Sequence, residues 1–280
     1  MKKINEHVYN YINHIKKIEY LSNYIVFYTN ESKYIYFDKK VDRKIYDYLL
    51  SIDYSNCLRL INDPNDNFSL FYFFDRDENY CLSLSNLCLK SNREIVNTDE
   101  NNKSKYDVLL SNIDSLYKYY LKKQDDIEEK LFPTQSQYNL IINISLVYKL
   151  LDLGRYFLDE WLKSDNVLSR VVVMPKDLSY NNYSNGNILD FDKADFDNIE
   201  ILLEKFYKSN YLRKEILEEI ENFISYCSFS ESEQLLFFVY ISISRKIDID
   251  NMLDVNSLNF YVQETYNYLL KKYEEKKEGN

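Results

Sequence analysis

The hydrophobic pattern of this chain changes near Asp77, and that change constrains the fold more than any other feature of the sequence. Before it, four segments are rich in aromatic and β-branched side chains, as strands are: 24–29, 33–37, 58–62 and 68–74. Residues 41–53 carry apolar side chains at helical spacing. The order β-β-α-β-β, followed mainly by helices, predicts an α+β fold with a small antiparallel sheet lobe (1–77) and a larger helical lobe (78–280).

Helices are expected wherever apolar residues recur at helical spacing. The predicted helices are 4–18, 80–90, 106–130, 136–163, 196–208, 211–226, 230–245 and 257–275. The segment 136–163 is strongly apolar and is predicted to be buried. The polar segment 91–105 is predicted to be an exposed loop.

Composition excludes several classes of function. The chain has 280 residues and is 45% hydrophobic, which is enough for one large or bilobal domain without stabilising disulfides. A net charge of -10 argues against a nucleic-acid-binding surface, and the longest apolar run, 235–243, is too short to cross a membrane. The 29 Tyr, the 16 Phe and the single alanine, Ala194, indicate an AT-rich genome, such as that of a low-GC bacterium.

The four cysteines do not form a metal-binding motif. Cys57, Cys81, Cys88 and Cys227 include no CxxC pair, and the two histidines, His7 and His14, lie far from them in sequence. Buried thiols in a reducing cytoplasm are therefore expected.

Residues 171–192, VVVMPKDLSYNNYSNGNILDFD, combine strand patterns with closely spaced acidic and amide residues. A strand is predicted to lead into a loop with Asp177 and Asn182. A tight Asn185-Gly186 turn and a short strand ending on Asp190 and Asp192 follow. Such a loop can place one carboxylate beside a hydroxyl group and an Asn-Asp pair around a metal that carries phosphates. The alternative is a hairpin with solvated acidic ends.

The order of elements and this segment resemble the aminoglycoside phosphotransferase and spore-coat kinase-like group, which has a protein-kinase-like fold. The group's HGDLxxxN motif, followed by a strand and DxD, is similar to residues 175–182, PKDLSYNN, and 188–192, ILDFD. Residues 132–161 and 192–208 also look like the helices before and after that motif in the group. The similarity is strongest over 132–210 and weak in the first lobe.

The resemblance implies a role for each matching residue. Asp177 would be the catalytic base that accepts the substrate's hydroxyl proton, and Asn182 and Asp190 would hold Mg²⁺ on the phosphates of ATP or GTP. Asp192 would supply a second carboxylate. The resemblance also implies a phosphate-binding lysine after the second hairpin strand, where Lys39 and Lys40 stand. Phosphoryl transfer needs mainly positioning and charge neutralisation, which suits these residue types.

The sequence departs from the group's pattern in four places. Pro175 replaces the His before the catalytic Asp, and Leu202 occupies the place of a bracing Asp. The first lobe contains no glycine for a phosphate-covering turn, and the register at Lys39 and Lys40 is shifted. Two functions therefore stay open: Mg-dependent phosphorylation of a small hydroxyl-bearing molecule, or an inactive kinase-fold protein that binds a protein partner as a scaffold.

Acidic residues near the motif suggest what an active enzyme would accept. They are Asp152, Asp159, Glu160, Asp192, Asp195, Asp197, Glu200 and Glu204. Carboxylates beside a cleft attract cations, so a small polar, cationic or polyhydroxylated alcohol is predicted as the acceptor. Most of these charges could instead be solvent-facing or lie at helix N-termini.

Overall fold

The computed structural model describes residues 4–21 and 24–278. The description leaves out residues 1–3, 22, 23, 279 and 280. The predicted lobes, 1–77 and 78–280, are therefore compared with the structure only over the described residues. The predicted α+β class is confirmed, because an antiparallel sheet precedes a larger set of helices.

A five-stranded antiparallel sheet occupies the first part of the chain, with the strand order β1-β2-β3-β5-β4. Its strands are β1 (Lys17–Tyr20), β2 (Ile25–Tyr28), β3 (Lys33–Phe37), β4 (Arg59–Leu60) and β5 (Ser69–Phe73). Helix α1 (Arg43–Ser51) follows β3. The four predicted strands and the helix between them are confirmed, and β1 is an additional strand.

The helix predicted over 4–18 is wrong. Only Glu6–Asn10 is helical, as a single 3-10 segment, and His14 has a φ of 57°, which breaks any continuing helix. The apolar residues that suggested the helix are used differently. Val8 and Ile12 are buried in the core against Phe27, while the chain goes on into β1.

Seven helices follow the sheet in the described part of the chain. They are α2 (Tyr80–Ser91), α3 (Asp99–Glu128), α4 (Gln135–Lys163), α5 (Ile199–Asn210), α6 (Ile216–Tyr226), α7 (Glu231–Ser242) and α8 (Met252–Glu278). Five short strands lie between them: β6 (Arg93–Val96), β7 (Leu168–Met174), β8 (Tyr183–Ser184), β9 (Asn187–Ile188) and β10 (Asp195–Asn198). β6, β7 and β10 form a sheet in the order β10-β7-β6.

The prediction of an exposed loop over 91–105 is wrong, because β6 and the first turns of α3 occupy it. Thr98 caps α3 by accepting a hydrogen bond from the N–H of Asn101. Asn102 is buried and donates to the Asn166 side chain at 2.8 Å. The asparagines that suggested a loop therefore make structural hydrogen bonds.

The helix predicted to begin at residue 196 begins later. Residues 196–198 belong to β10, and α5 begins at Ile199.

The helical part is built around α4, which packs against α3, α7 and α8. Thr134 and Gln137 form a capping box at the start of α4. Near its other end Trp161 is buried, and its Nε1 donates to Ser232 Oγ at 3.0 Å. The prediction of a buried helix over 136–163 is confirmed.

The chain divides into two compact units, each made of two stretches. The first unit contains residues 1–93 and 171–197, and the second contains 94–170 and 198–280. The division into lobes at Asp77 stays a prediction about the fold as a whole. In the described residues, no helix has the length and apolar character needed to cross a membrane.

Candidate active site

The acidic segment after β7 lies in the first unit and folds into a 3-10 turn and a hairpin. The turn covers Tyr180–Asn182, and β8 and β9 form the antiparallel hairpin. Asn185 and Gly186 connect these strands with φ values of 42° and 79°, a left-handed geometry that Asn and Gly tolerate. The predicted Asn-Gly turn is confirmed. The strand predicted to end on Asp190 and Asp192 is shorter, because β9 ends at Ile188.

The hairpin turn is hydrogen-bonded to residues before and after β5 in the first unit. The carbonyl of Gly186 accepts hydrogen bonds from Asn56 Nδ2 at 2.9 Å and from Ser83 Oγ at 3.1 Å. The N–H of Arg76 donates to the carbonyl of Asn185 at 3.0 Å. A Cβ atom on Gly186 would lie 2.4 Å from the Arg76 Cβ, so the turn requires glycine. Sequence reasoning missed the role of Asn56, because its partners are distant in sequence.

Asn182 connects the two backbone segments that carry the acidic residues. Its Nδ2 donates to the carbonyls of Asp177 at 2.8 Å and of Asp190 at 3.1 Å, and its Oδ1 accepts from the N–H of Asp190 at 2.8 Å. The residue is buried. These hydrogen bonds hold the backbone of Asp177 next to the backbone of Asp190, although the two residues are not adjacent in sequence. An amide oxygen has a second lone pair, which leaves Oδ1 able to accept one further partner.

Lys39 joins the sheet to this segment. It follows β3, and its Nζ lies 2.9 Å from Asp190 Oδ2 and 3.0 Å from Asp192 Oδ2. Burial lowers the pKa of Lys39, but its hydrogen bonds to the two carboxylates outweigh burial and raise that pKa above its ordinary value. One ammonium group is thus shared by both carboxylates.

A cavity of about 370 Å³ opens beside these residues within the first unit. The formal charges that line it balance: Lys39, Lys176 and Lys193 against Asp177, Asp190 and Asp192. Tyr24 and Phe37 line it as well, with their ring centroids 5.8 Å apart. Such a cavity can accommodate a molecule that carries both anionic and apolar groups.

Asp177 is the carboxylate of the site that is exposed to solvent. Its Oδ1 accepts a hydrogen bond from the N–H of Ser179 at 2.8 Å, which orients the side chain from its own loop.

A tight turn follows Asp192. Lys193 has a φ of 61°, and the N–H of Ala194 donates to the Phe191 carbonyl at 2.9 Å. This turn ends the acidic segment and costs about 1–2 kcal/mol of backbone strain at a residue that lines the cavity.

Tyr46 on α1 contacts the acidic segment and supports it, and this role was not predicted from the sequence. The N–H of Phe191 donates to the hydroxyl of Tyr46 at 3.1 Å, and the Phe191 ring packs between those of Tyr46 and Tyr54. Burial raises the pKa of Tyr46 far above its usual range, so this hydroxyl stays protonated. The apolar residues at helical spacing over 41–53 are Val41, Ile45, Tyr48, Leu49 and Ile52. Of those within α1 only Leu49 is buried, and Tyr46, which that spacing left out, is buried beside it.

Of the two lysines that were candidates for phosphate binding, Lys39 makes ion pairs inside the cavity, and Lys40 is exposed.

Most of the acidic residues predicted to attract a cationic acceptor instead bind partners in the second unit. Glu200 is only 1% exposed and pairs with Lys105 at 3.0 Å. Asp152, Asp159, Glu160 and Glu204 also have partners there, namely Arg155, the Tyr106 hydroxyl, Lys163 and Lys208. Leu202 is fully buried in the same unit.

The residues of the first unit offer a partial set of metal ligands. The Oδ2 atoms of Asp190 and Asp192 converge on one cation, the Lys39 ammonium, and hard carboxylate oxygens are what Mg²⁺ prefers. The donor set thus fits a small hard cation. Over residues 4–21 and 24–278, no group of three or more His, Cys, Asp or Glu side chains is arranged to hold a metal ion. Further ligands at this point would have to be an amide oxygen, water or a bound molecule.

The four cysteines are buried, and none of them forms a disulfide bond. Burial raises the pKa of the Cys57 thiol to about 11, so this thiol is protonated and unreactive at neutral pH.

Comparison with solved structures identifies the fold. The chain superposes on the crystal structure of an aminoglycoside phosphotransferase from Alicyclobacillus acidocaldarius with a TM-score of 0.64, at 9% identity and over 100% of this chain and 98% of the other. The chain therefore has the kinase-like fold of an aminoglycoside phosphotransferase, as the resemblance predicted. No protein-family model matches the sequence, and no curated protein matches it.

Two further structures are similar at lower scores. Choline kinase LicA from Streptococcus pneumoniae has a TM-score of 0.38 and 12% identity, with 95% of each chain covered. The AMP-bound complex of spectinomycin phosphotransferase, APH(9)-Ia, has a TM-score of 0.46 and 12% identity, with 92% of this chain and 89% of the other covered. The fold assignment rests on the first comparison alone.

Proposed function

We propose that this protein is a phosphotransferase that moves the terminal phosphoryl group of ATP or GTP, with Mg²⁺, to a hydroxyl group of a small molecule. One observation carries the proposal: Lys39, Asp177, Asn182, Asp190 and Asp192 line one cavity, although Lys39 and Asp190 are 151 residues apart. A hairpin with merely solvated acidic ends would not need a lysine from the sheet. The fold shared with an aminoglycoside phosphotransferase supports this class of function by analogy at the level of the fold, while the residues of the cavity carry the proposal.

Asp177 is assigned as the base. Its carboxylate lines the cavity, is exposed, and is oriented by the N–H of Ser179. A carboxylate so placed can accept the proton of an acceptor hydroxyl as that oxygen bonds to phosphorus. Asn182 holds the backbone of this residue through the Asp177 carbonyl.

Asp190 and Asp192 are assigned as metal ligands, with Asn182 Oδ1 as the third protein oxygen. When bound, Mg²⁺ would neutralise charge on the transferring phosphates. Asp190 is held at its backbone by both polar atoms of the Asn182 amide, and the N–H of Asp192 donates to Asp190 Oδ1 at 2.7 Å. This bracing keeps the Asp190 carboxylate oriented towards the point that it shares with Asp192 Oδ2, which reduces the reorganisation needed to hold a cation.

Lys39 is assigned to the nucleotide phosphates in preference to Lys40. Its ammonium already lies in the cavity, and its side chain is 42% exposed, so it can turn towards a bound anion. Lys176 and Lys193 line the same cavity and add positive charge for phosphate oxygens. These three lysines could replace the contacts that a glycine-rich turn supplies in related folds.

The acceptor is assigned as a small polar, cationic or polyhydroxylated alcohol. The cavity of about 370 Å³ has the size of a small-molecule site, and the solved structure that shares the fold is named as an aminoglycoside phosphotransferase. Four buried cysteine thiols outside disulfide bonds suit a reducing compartment, so we assign the activity to the cytoplasm. Phosphorylation of amino-sugars, choline and simple sugars, compared with anionic alcohols and a protein substrate, tests the acceptor class. Activity on the protein alone, or equally on anionic alcohols, would contradict it.

A thermal-shift titration tests nucleotide and metal binding. ATP or GTP with Mg²⁺, at 100 times the Kd, stabilises the folded state by about 2.7 kcal/mol, and each kcal/mol raises the Tm of a chain of this size by roughly 2–4 °C. Asp190→Ala should abolish the shift. Asp177→Asn should keep the shift and lose turnover, because it removes the base and leaves the nucleotide contacts.

The competing function is an inactive kinase-fold protein that acts as a binding or scaffold module. It would be favoured if no nucleotide at millimolar concentration shifts the Tm of the wild-type protein. An Asp177→Asn variant that still turns over substrate normally would also contradict the assignment of the base.

A further inference from the structure

We propose that Lys39 is an exchangeable internal cation that occupies the metal position between Asp190 and Asp192, so that divalent metal binds well only together with a nucleotide. The inference deepens the proposed function and rests on it for the identity of the nucleotide. Its first half, that Lys39 excludes free metal, depends only on the geometry of the site.

The ammonium of Lys39 occupies the bridging position between the two carboxylates. Its Nζ lies 2.9 Å from one Oδ2 and 3.0 Å from the other. A Mg²⁺ ligated by the same two oxygens would lie about 2.1 Å from each. Two cations that share one pair of oxygens would stand within a few ångströms of each other and repel strongly. Metal binding at this point therefore requires Lys39 to leave.

The Asp190 carboxylate cannot easily turn away to join a separate metal site. Asp190 Oδ1 accepts the N–H of Asp192 at 2.7 Å, which orients the Asp190 side chain. The backbone N–H and carbonyl of Asp190 are both bonded to the amide of Asn182. The Oδ2 of Asp190 thus stays at the position that it shares with Asp192 Oδ2, where the Lys39 ammonium binds.

The protein supplies too few ligands to hold a free metal ion tightly. In the part of the chain that the structure describes, no group of three or more acidic, histidine or cysteine side chains is arranged for a metal. Mg²⁺ takes six oxygen ligands and usually obtains several of them from substrate phosphates. Two carboxylates and one amide oxygen leave that set incomplete until phosphate oxygens are present.

Lys39 has a place to go when phosphates arrive. Its side chain is 42% exposed and runs from the end of β3 with Nζ 5.6 Å from the centre of the Phe37 ring, and both residues line the cavity. A rotation of its flexible stem would move the ammonium from the carboxylates to the phosphates. The exchange keeps every charge paired, because the Lys39 ammonium would bind the phosphates and the two carboxylates would bind the metal. Without a nucleotide, the displaced ammonium would lose its hydrogen bonds to the two carboxylates and gain no phosphate in return.

Manganese binding without nucleotide tests the first half of the proposal. Mn²⁺ binding, followed by electron paramagnetic resonance, should be weak in the wild-type protein. In Lys39→Met it should be tighter by at least fivefold, within the range of ordinary coupling between two ligands. Lys40→Met removes the same charge one residue away and should leave Mn²⁺ affinity unchanged. Lys39→Arg keeps the cation and should bind Mn²⁺ as weakly as the wild type.

The coupling itself is measured on the wild-type protein, so it does not depend on any variant folding. Mn²⁺ affinity should rise at least fivefold when a non-hydrolysable ATP analogue is present, and the analogue should bind more tightly by the same factor when Mn²⁺ is present. Unchanged Mn²⁺ affinity in Lys39→Met, in a variant with wild-type circular dichroism, would overturn the inference. Equal wild-type Mn²⁺ affinity with and without a bound analogue would overturn it too. Absence of any analogue binding would instead contradict the proposed function, while a gain of Mn²⁺ affinity in Lys39→Met would still support the exclusion of metal by Lys39.

Discussion

Asn182 holds the acidic residues in register because an amide has both a donor and an acceptor. Its Nδ2 donates to two backbone carbonyls and its Oδ1 accepts one backbone N–H. A carboxylate of the same size could accept the N–H but could not donate to the carbonyls. The chemical identity of this residue therefore has a structural reason in addition to the proposed metal ligation.

Asn182→Asp should destabilise the protein by roughly 2–4 kcal/mol, because a buried charge would face two carbonyl oxygens that have lost their donor. Asn182→Ala should cost a similar amount through the loss of three hydrogen bonds. Urea unfolding of each variant measures the change. The matched control is Asn181→Asp, at an exposed position, which should change stability by less than about 0.5 kcal/mol. Equal stability of the variants at 181 and 182 would show that the bracing is not important.

At the scale of elements, a glycine in α4 allows close contact with α7. Gly154 lies within α4, where alanine would favour the helix by roughly 1 kcal/mol. A Cβ atom at this position would lie 2.1 Å from the Oγ and 2.9 Å from the Cβ of Ser242 in α7. Packing between the helices therefore outweighs helix propensity at Gly154.

Gly154→Ala should destabilise the helical unit by about 1–3 kcal/mol, since neither helix can move without disturbing the packed core. Ser242→Gly removes both clashing atoms, so the double variant should be more stable than the sum of the single changes predicts, by about 0.5–3 kcal/mol. Chemical denaturation of the four proteins in the cycle measures this coupling. Ser145→Ala, at an exposed position of α4, reports helix propensity alone. A stabilising Gly154→Ala would contradict the close contact.

At the scale of the whole molecule, the first compact unit is not continuous in sequence. Residues 171–197 return to it after the chain has formed part of the second unit. Several contacts inside the unit depend on that return, including those of Lys39 with Asp190, Tyr46 with Phe191 and Asn56 with Gly186. The strand-rich part of the sequence is therefore incomplete by itself.

A fragment of residues 1–93 should not fold cooperatively, because Tyr46, Tyr54 and Asn56 would lose buried partners contributed by 171–197. Circular dichroism should show no cooperative thermal transition for the fragment, whereas the full chain should show one. Addition of a peptide of residues 171–197 should restore part of the ordered signal. A stably folded fragment of 1–77 would instead support a lobe boundary at Asp77, and a stably folded fragment of 1–93 would show that this unit folds without residues 171–197.

Local sequence patterns predicted much of the fold. Four strands of the sheet, α1, the buried α4 and the Asn185-Gly186 turn were all predicted, because each depends on side-chain periodicity or on turn chemistry within a few residues. The helix predicted over 4–18 was wrong, because its apolar residues pack into the core around a 3-10 segment. The loop predicted over 91–105 was wrong, because its asparagines bond to partners such as Asn166, more than 60 residues away.

By itself, the sequence determined the α+β class and identified the short acidic segment in which the candidate site lies, since both are encoded in the spacing of neighbouring residues. Tertiary structure alone decided which lysine faces the carboxylates: Lys39 contacts Asp190 and Asp192, and the adjacent Lys40 is exposed. It also decided that Tyr46 supports the segment and that Glu200 is neutralised by Lys105. The physical reason is that each of these outcomes depends on contacts between residues about 95 to 153 positions apart, which no local spacing records.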